Sequence, residues 1–372
     1  MSVASTPVID GLFEQLQVAI ESPRNQAKKE VPQPRVTVYM ENLGWAQLFD
    51  YDMNHFYSDA AFSIEMQLRG KLFHVEHYDD DTVMDAGLSA SVGMYWDYTT
   101  LGMSVWHEPV GVPHIQADHP LTRSLDLSLI PKVDFKSSGI MPDLLRFYDE
   151  MKAIIGDRGS VWFPTWGRGP LDMAIQLRGY VQFVEDCRER PQFVHDLMQR
   201  LVEERINWWE GYCEFFDTKE KTAGIADDWI NIPFISPSIF VDFCMPAYLE
   251  LEKYHGAVPN VHSCGDQVPI QKYLLQIKTL GAFEVNPWTD LRKTLANVPT
   301  DKWLGISIKN VDVLFGSPEQ QEAKLREIVE LCAGRNYGLS GQALQKMHDD
   351  YAVDIARIQR WIGIAKGVLG RG

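Results

Sequence analysis

The chain has 372 residues, 45% of them apolar and 23% charged, with a formal net charge of −16. That length holds either two average domains or one large α/β barrel with extensions, and the core it can bury needs no disulfide or metal for stability. So acidic a chain is not built for nucleic acid or an anionic membrane as its main partner, although a local basic pocket stays open.

In chain order, residues 9–20 have the apolar spacing of an amphipathic helix. Residues 22–35, "SPRNQAKKEVPQPR", read as a linker or an extension wrapped on the surface. The start of the chain lacks a charged segment followed by an apolar core and a cleavage site, and no apolar run approaches membrane-spanning length. The expectation is a soluble, cytoplasmic protein. The five cysteines, Cys187, Cys213, Cys244, Cys264 and Cys332, are odd in number and scattered, unlike a secreted disulfide framework.

From about residue 85, short strand-like runs alternate with helix-length stretches. "GSVWFPTWGRGP" reads as a strand ending in a loop, and Pro191 starts a new helix. Next come "AGIADDW", "VPNVHSCGD", "GAFEVNPW", "KWLGISIKN" and "NYGLSGQAL". This rhythm means parallel strands joined by crossover helices. No Gly-x-Gly-x-x-Gly follows an early strand, which weakens a dinucleotide-binding reading. The polar residues of the runs, Asp227 and Asp228, His262 and Cys264, Glu284, Lys309 and Asn310, and Gln342, all fall at C-terminal strand ends. In a (β/α)8 TIM barrel those ends converge on the face that carries the chemistry. The predicted layout is an N-terminal helical extension over residues 1–50 and a barrel over 51–372.

Side chains alternate along a strand, so His262 and Cys264 point the same way. The pair is either half of a metal site or a structural coincidence. Asp227 and Asp228 suit acid–base work or substrate orientation, with one of them alternatively capping the next helix. Trp166 and Trp229 are candidate pocket walls, or plain packing. A rival histidine group holds His74 and His77 in "HVEH", then His107, His114 and His119. It lacks the His-Glu-x-x-His spacing of a zinc protease, and the acidic residues 79–81 favour a solvated loop.

The order of these motifs resembles the uroporphyrinogen decarboxylase superfamily. "GIADDWINIPFISPSIFVDFCMPAYLELEKY" supplies its Asp-Asp strand end and Ser-Pro helix start, and "VPNVHSCGD" its His-x-Cys-Gly strand end. "LGMSVWHEPVGVPHIQADHPLTRSLDL" is similar to the stretch before that family's barrel strands, and the resemblance runs from about residue 50 onward. The His-x-Cys pair resembles the branch of zinc-dependent methyltransferases that work with corrinoid proteins, and the distantly related cobalamin-independent methionine synthases. Decarboxylases instead carry an arginine-rich "RQAGR" type segment that grips substrate carboxylates, where this chain reads "RVTVYMENLGWAQLF".

The resemblance implies a methyl group moved between a corrinoid protein and a small thiol, folate or methylated substrate. It also implies zinc on His262 and Cys264, and a possible homodimer. The methyltransferase branch places a further cysteine in a turn after the last strand; here "LSGQAL" puts Gln342 there. Glutamine is a poor zinc ligand, so Glu284, or less readily Cys332, is the candidate third ligand. Trp166, Trp229, Asn310 and Gln342 are the candidate substrate contacts. A metal-free decarboxylase or lyase and a non-catalytic binding barrel are the competing readings.

Overall fold

The computed structural model describes residues 6–371 apart from 107, 109, 110, 112, 117 and 232. Its strands are β1 (Val36–Met40), β2 (Gly87–Ser89), β3 (Val105–Trp106), β4 (His114–Ile115), β5 (Ser160–Trp162), β6 (Ile225–Ala226), β7 (Asn260–His262), β8 (Ala282–Val285), β9 (Trp303–Ile308) and β10 (Tyr337–Leu344). Six of them form one parallel sheet in the order β1-β10-β9-β8-β7-β6. β2 and β5 pair in parallel, and β3 with β4 makes a small antiparallel ribbon in the loop leaving β2.

Two irregular seams join these pieces into the expected barrel. Beyond β5, Arg168 bridges to Ala226 on β6, with Gly169 N donating to Ala226 O at 2.7 Å. Between β1 and β2, aspartate side chains stand in for a neighbouring strand: Val36 N donates to the Asp81 carboxylate at 2.7 Å and Val38 N to Asp80 at 3.0 Å. Buried backbone donors must be paired, and carboxylates do it here because β2 is too short to reach. The barrel therefore begins at Val36, earlier than the predicted boundary at 51; among the described residues two helices, Thr6–Glu21 and Pro23–Lys29, precede it. Ile9, Leu12, Phe13 and Leu16 form the apolar stripe that buries the first of these, against the helix Ala60–His77.

Strand register decides which residues face the barrel axis. Leu88, Val261, Phe283, Ile306 and Leu339 are buried against the surrounding helices. Their alternating neighbours, among them Thr37, Ser89, Ser160, Glu284, Ser307 and Ser340, face inward and are only partly buried or exposed. Branched aliphatic layers usually fill such a barrel. Here small and polar side chains face the shaft of the barrel, with the Trp303 indole at its N-terminal end. The indole fits because Gly305 and Gly338 lie beside it: a Cβ at either would come within 2.8 or 2.9 Å of the ring. Among the described residues no helix is long and apolar enough to cross a membrane.

Candidate metal centre at the barrel mouth

The two adjacent aspartates after β6 part company by alternation. Asp227 turns outward, where it is fully buried. Its carboxyl accepts from Leu171 N at 3.1 Å, Asp172 N at 2.9 Å and the Tyr248 hydroxyl at 2.7 Å. It thus caps the helix Pro170–Arg178, whose own N-cap, Gly169, has no side chain to offer. A Cβ on Gly169 would run into that carboxyl. Burial, reinforced by nearby Asp172, pushes the Asp227 pKa well above the carboxylate range.

Asp228 turns inward. Its Oδ2 accepts from Arg168 Nη1 at 2.8 Å, and the same nitrogen donates to Asp172 at 2.9 Å. Its Oδ1 is buried without a hydrogen-bond partner among the described residues and faces His262 Nε2 at 3.4 Å. Cys264 Sγ lies 3.5 Å from the same nitrogen, and Nδ1 of the ring donates to Glu284 Oε2 at 2.5 Å. One ligand atom each from Asp228, His262 and Cys264 falls within 4.8 Å of the others. Register brings them together: Ala226 pairs with His262, so residue 228 stands beside residue 264.

Burial opposes charge on His262, but its contacts with Asp228 and Cys264 and its hydrogen bond to Glu284 outweigh burial and raise its pKa to about 12. Burial likewise opposes charge on Asp228, yet the nearby His262 and Cys264 and the Arg168 guanidinium hold it well below the usual carboxylate range. The bond to His262 lowers the Cys264 thiol, while burial and Asp228 carry it upward overall. Without a metal, the cluster keeps its positive charge as a proton on the imidazole.

Cys264 lies beyond the end of β7, in a turn held by three hydrogen bonds. Asn286 donates to the carbonyls of Ser263, at 3.0 Å, and Gly265; Ser263 Oγ donates to Asp228 O at 3.3 Å. Gly265 is required because a Cβ there would strike the Asn231 side chain. These ties fix the thiol relative to both neighbouring strand ends.

A cavity of about 310 Å³ opens beside Cys264 and Asp228, and Tyr95, Arg168, Gln176, Trp229, Asn231 and Phe234 are among its lining residues. Trp229 lines this cavity. Trp166 does not: it is 1% exposed, its ring buried in the core and its carbonyl accepting from Trp209. The residue that does reach the mouth from that segment is Arg168, which sequence reasoning missed; an arginine between two glycines at a strand end was the available signal.

Gln342 faces the shaft but folds onto Ser340 Oγ at 2.8 Å, away from the donor cluster. Asn310 begins the helix after β9 and donates to Ala343 O at 3.3 Å. Cys332 caps the helix Pro318–Leu331, buried near Tyr337 at the start of β10, hence at the opposite end of the barrel. "HVEH" is not a loop but the last turn of the helix Ala60–His77. His74 is buried there against Asp80 at 2.9 Å, because that carboxylate is needed inside to pair with β1. His114 stacks on Trp106 and His119 accepts from Leu121 N, so neither joins a cluster; His107 lies outside the described residues.

Fold and site together define a TIM-barrel protein of the kind that builds its site from residues just past the C-terminal strand ends. The sequence model of the family described as Uroporphyrinogen decarboxylase (URO-D) matches residues 87–340, more than half of the chain, and the chain belongs to that family. Among solved structures, a methyltransferase from Methanosarcina mazei is similar, with a TM-score of 0.63 and 13% identity over 96% of this chain and 99% of that one. At that identity the likeness speaks for the fold. No curated protein sequence matches.

Proposed function

We propose that this protein is a methyltransferase that moves a methyl group between a corrinoid protein and a small donor or acceptor, with zinc held at the barrel mouth by Asp228, His262 and Cys264. The observation that carries the reading is the convergence of one oxygen, one nitrogen and one sulfur donor on a point beside a cavity. Ligand bonds of 2.0–2.3 Å set the donors of a tetrahedral zinc roughly 3.3–3.7 Å apart. The separations of His262 Nε2 from Asp228 Oδ1 and Cys264 Sγ, 3.4 and 3.5 Å, suit that tetrahedron, and Oδ1 lacks any other partner. Three protein ligands leave the fourth position for substrate.

Bound zinc would stabilise the anion of a substrate thiol or oxygen. The protein's own groups prepare the place. Glu284 holds Nδ1 of His262 and so turns Nε2 toward the other donors, an orienting part rather than a ligand's. Arg168 occupies one oxygen of Asp228 and leaves the other free. Trp229 and Phe234 wall the cavity, while Gln342 and Asn310 stand at the ends of other strands of the mouth.

A decarboxylase would need cations to grip substrate carboxylates. The one cation lining the cavity among the described residues is Arg168, already paired with two aspartates. The test is metal analysis of protein purified without chelator, together with methyl transfer from methylcobalamin to thiol and phenol acceptors, followed by cobalamin absorbance. About one zinc per chain is expected, lost in the His262→Ala, Cys264→Ala double variant together with transfer. Metal-free protein without transfer would overturn the reading.

A further inference from the structure

We infer that the flank of the barrel carries a second small-molecule site, which takes a zwitterionic aliphatic amino acid and acts on the turn that holds Cys264, whatever reaction runs at the mouth. The helix after β8, Leu291–Asn297, has seven residues, half the length of its neighbour Pro318–Leu331. Between them lies a cavity of about 340 Å³, within the range of ligand sites. Its floor is the outward face of β8 and β9, carrying Val285, Ile306 and Ile308, and Leu291, Ile328 and Leu331 line its sides.

The rim of this cavity is charged and balanced. Arg292 and Glu327 pair across it at 2.7 Å, joining the two helices, and both side chains are more than half exposed. Asp290 and Lys324 are the other charged lining residues, so two cations stand beside two anions. An exposed ion pair gains little, and its ends exchange partners at small cost. A ligand ammonium on Glu327 and a carboxylate on Arg292 would keep both charges paired while an aliphatic chain covers the apolar floor. A simple anion would strand Glu327, and a simple cation Arg292. No aromatic side chain is among the described lining residues, so nothing favours a flat ring.

The same wall reaches the donor cluster. Asn286 and Thr289 line this cavity and also hold the Cys264 turn. Asn286 makes the bonds to Ser263 O and Gly265 O described above, and the Thr289 hydroxyl adds one to Gly265 O at 3.4 Å. Glu284, two residues before Asn286, grips the His262 ring, and Asp290 caps the short helix by accepting from Lys293 N at 3.1 Å. The segment is thus tied to the cluster at one end and to the cavity wall at the other. A ligand that braces this segment braces the turn, and by linkage whatever fixes the turn tightens the ligand.

The test is calorimetric titration of the protein as purified with L-leucine, 4-methylpentanoate and glycine, in wild type, Glu327→Gln and Arg292→Gln. Both rim positions are exposed, so these variants should keep the stability of the wild type. Saturable leucine binding is expected, about tenfold tighter than that of the probes lacking the ammonium or the side chain, and weakened about tenfold by either substitution. No saturable leucine binding, equal binding of either other probe, or full affinity in both variants overturns the site. Amide hydrogen exchange at residues 263–267 reads the link to the turn, and saturating leucine should slow it about fivefold. Leucine binding with unchanged exchange there overturns the action on Cys264.

Discussion

Glu284 Oε2 sits 2.5 Å from His262 Nδ1, on the side of the imidazole away from Asp228 and Cys264. That contact fixes which nitrogen faces the donor cluster. A carboxylate behind a metal-binding histidine orients the ring and raises its basicity, and its loss costs about 10–100-fold in metal affinity. Glu284→Gln is therefore expected to weaken zinc by about tenfold and Glu284→Ala by more, measured by competition with a chromogenic chelator. Equal affinity in all three proteins would remove Glu284 from any such role.

Zinc binding must displace the proton on His262, whose pKa is raised to about 12, and the proton on Cys264, also raised. Zinc affinity should therefore climb with pH across the neutral range, with up to two protons released per ion, countable by calorimetry in buffers of different ionisation enthalpy. In the metal-free protein the sign reverses. The raised His262 pKa contributes stability that is complete below its ordinary value of 6.5 and is lost as pH rises toward about 12. Thermal midpoints of chelator-treated protein should fall over that window, and His262→Ala should flatten the fall.

Adjacent aspartates should respond differently to substitution. Asp227→Ala strands two backbone donors and the Tyr248 hydroxyl in the core, a loss of about 3–5 kcal/mol in urea denaturation. Asp227→Asn should also destabilise, by about 1–3 kcal/mol, because both carboxyl oxygens accept from backbone N–H groups and the amide nitrogen would have to face one of them. Asp228→Asn removes the charge that Arg168 and His262 face, costing about 1–3 kcal/mol in the metal-free protein, and should abolish stoichiometric zinc. Zinc retained in Asp228→Asn would point to another third ligand.

Ala343 stands at φ +56°, in the left-handed region, where β10 bulges against β1 between the pairs Val38–Gly341 and Met40–Leu344. That backbone form suits glycine, and an alanine there costs roughly 1–2 kcal/mol. Ala343→Gly should raise unfolding stability by up to about 1 kcal/mol after glycine's own entropic cost, with zinc content unchanged. A loss of stability would mean that the alanine methyl packs usefully.

Six of the eight barrel strands, β5 to β10, were legible because each holds a short apolar or β-branched run bounded by turn residues, a local signal. β1 was not: "RVTVYM" lies in a stretch whose flanks read as linker, and its pairing with β10 joins residues about three hundred positions apart. "HVEH" misled for a related reason. Its acidic neighbours suggested water, whereas Asp80 and Asp81 are buried because β1 lacks a full neighbouring strand.

By itself the sequence determined the strand–helix alternation, the family, and the placing of His262, Cys264, Asp228 and Glu284 at strand ends, since period-two patterning and motif order are properties of the chain. Only the tertiary structure decided their parts. Register across β6, β7 and β8 set which aspartate turns inward, put Glu284 behind the imidazole, and brought Arg168 onto Asp228 from a distant loop. Those are relations between strands, and a side chain's partner across a sheet is fixed by pairing that no single strand encodes.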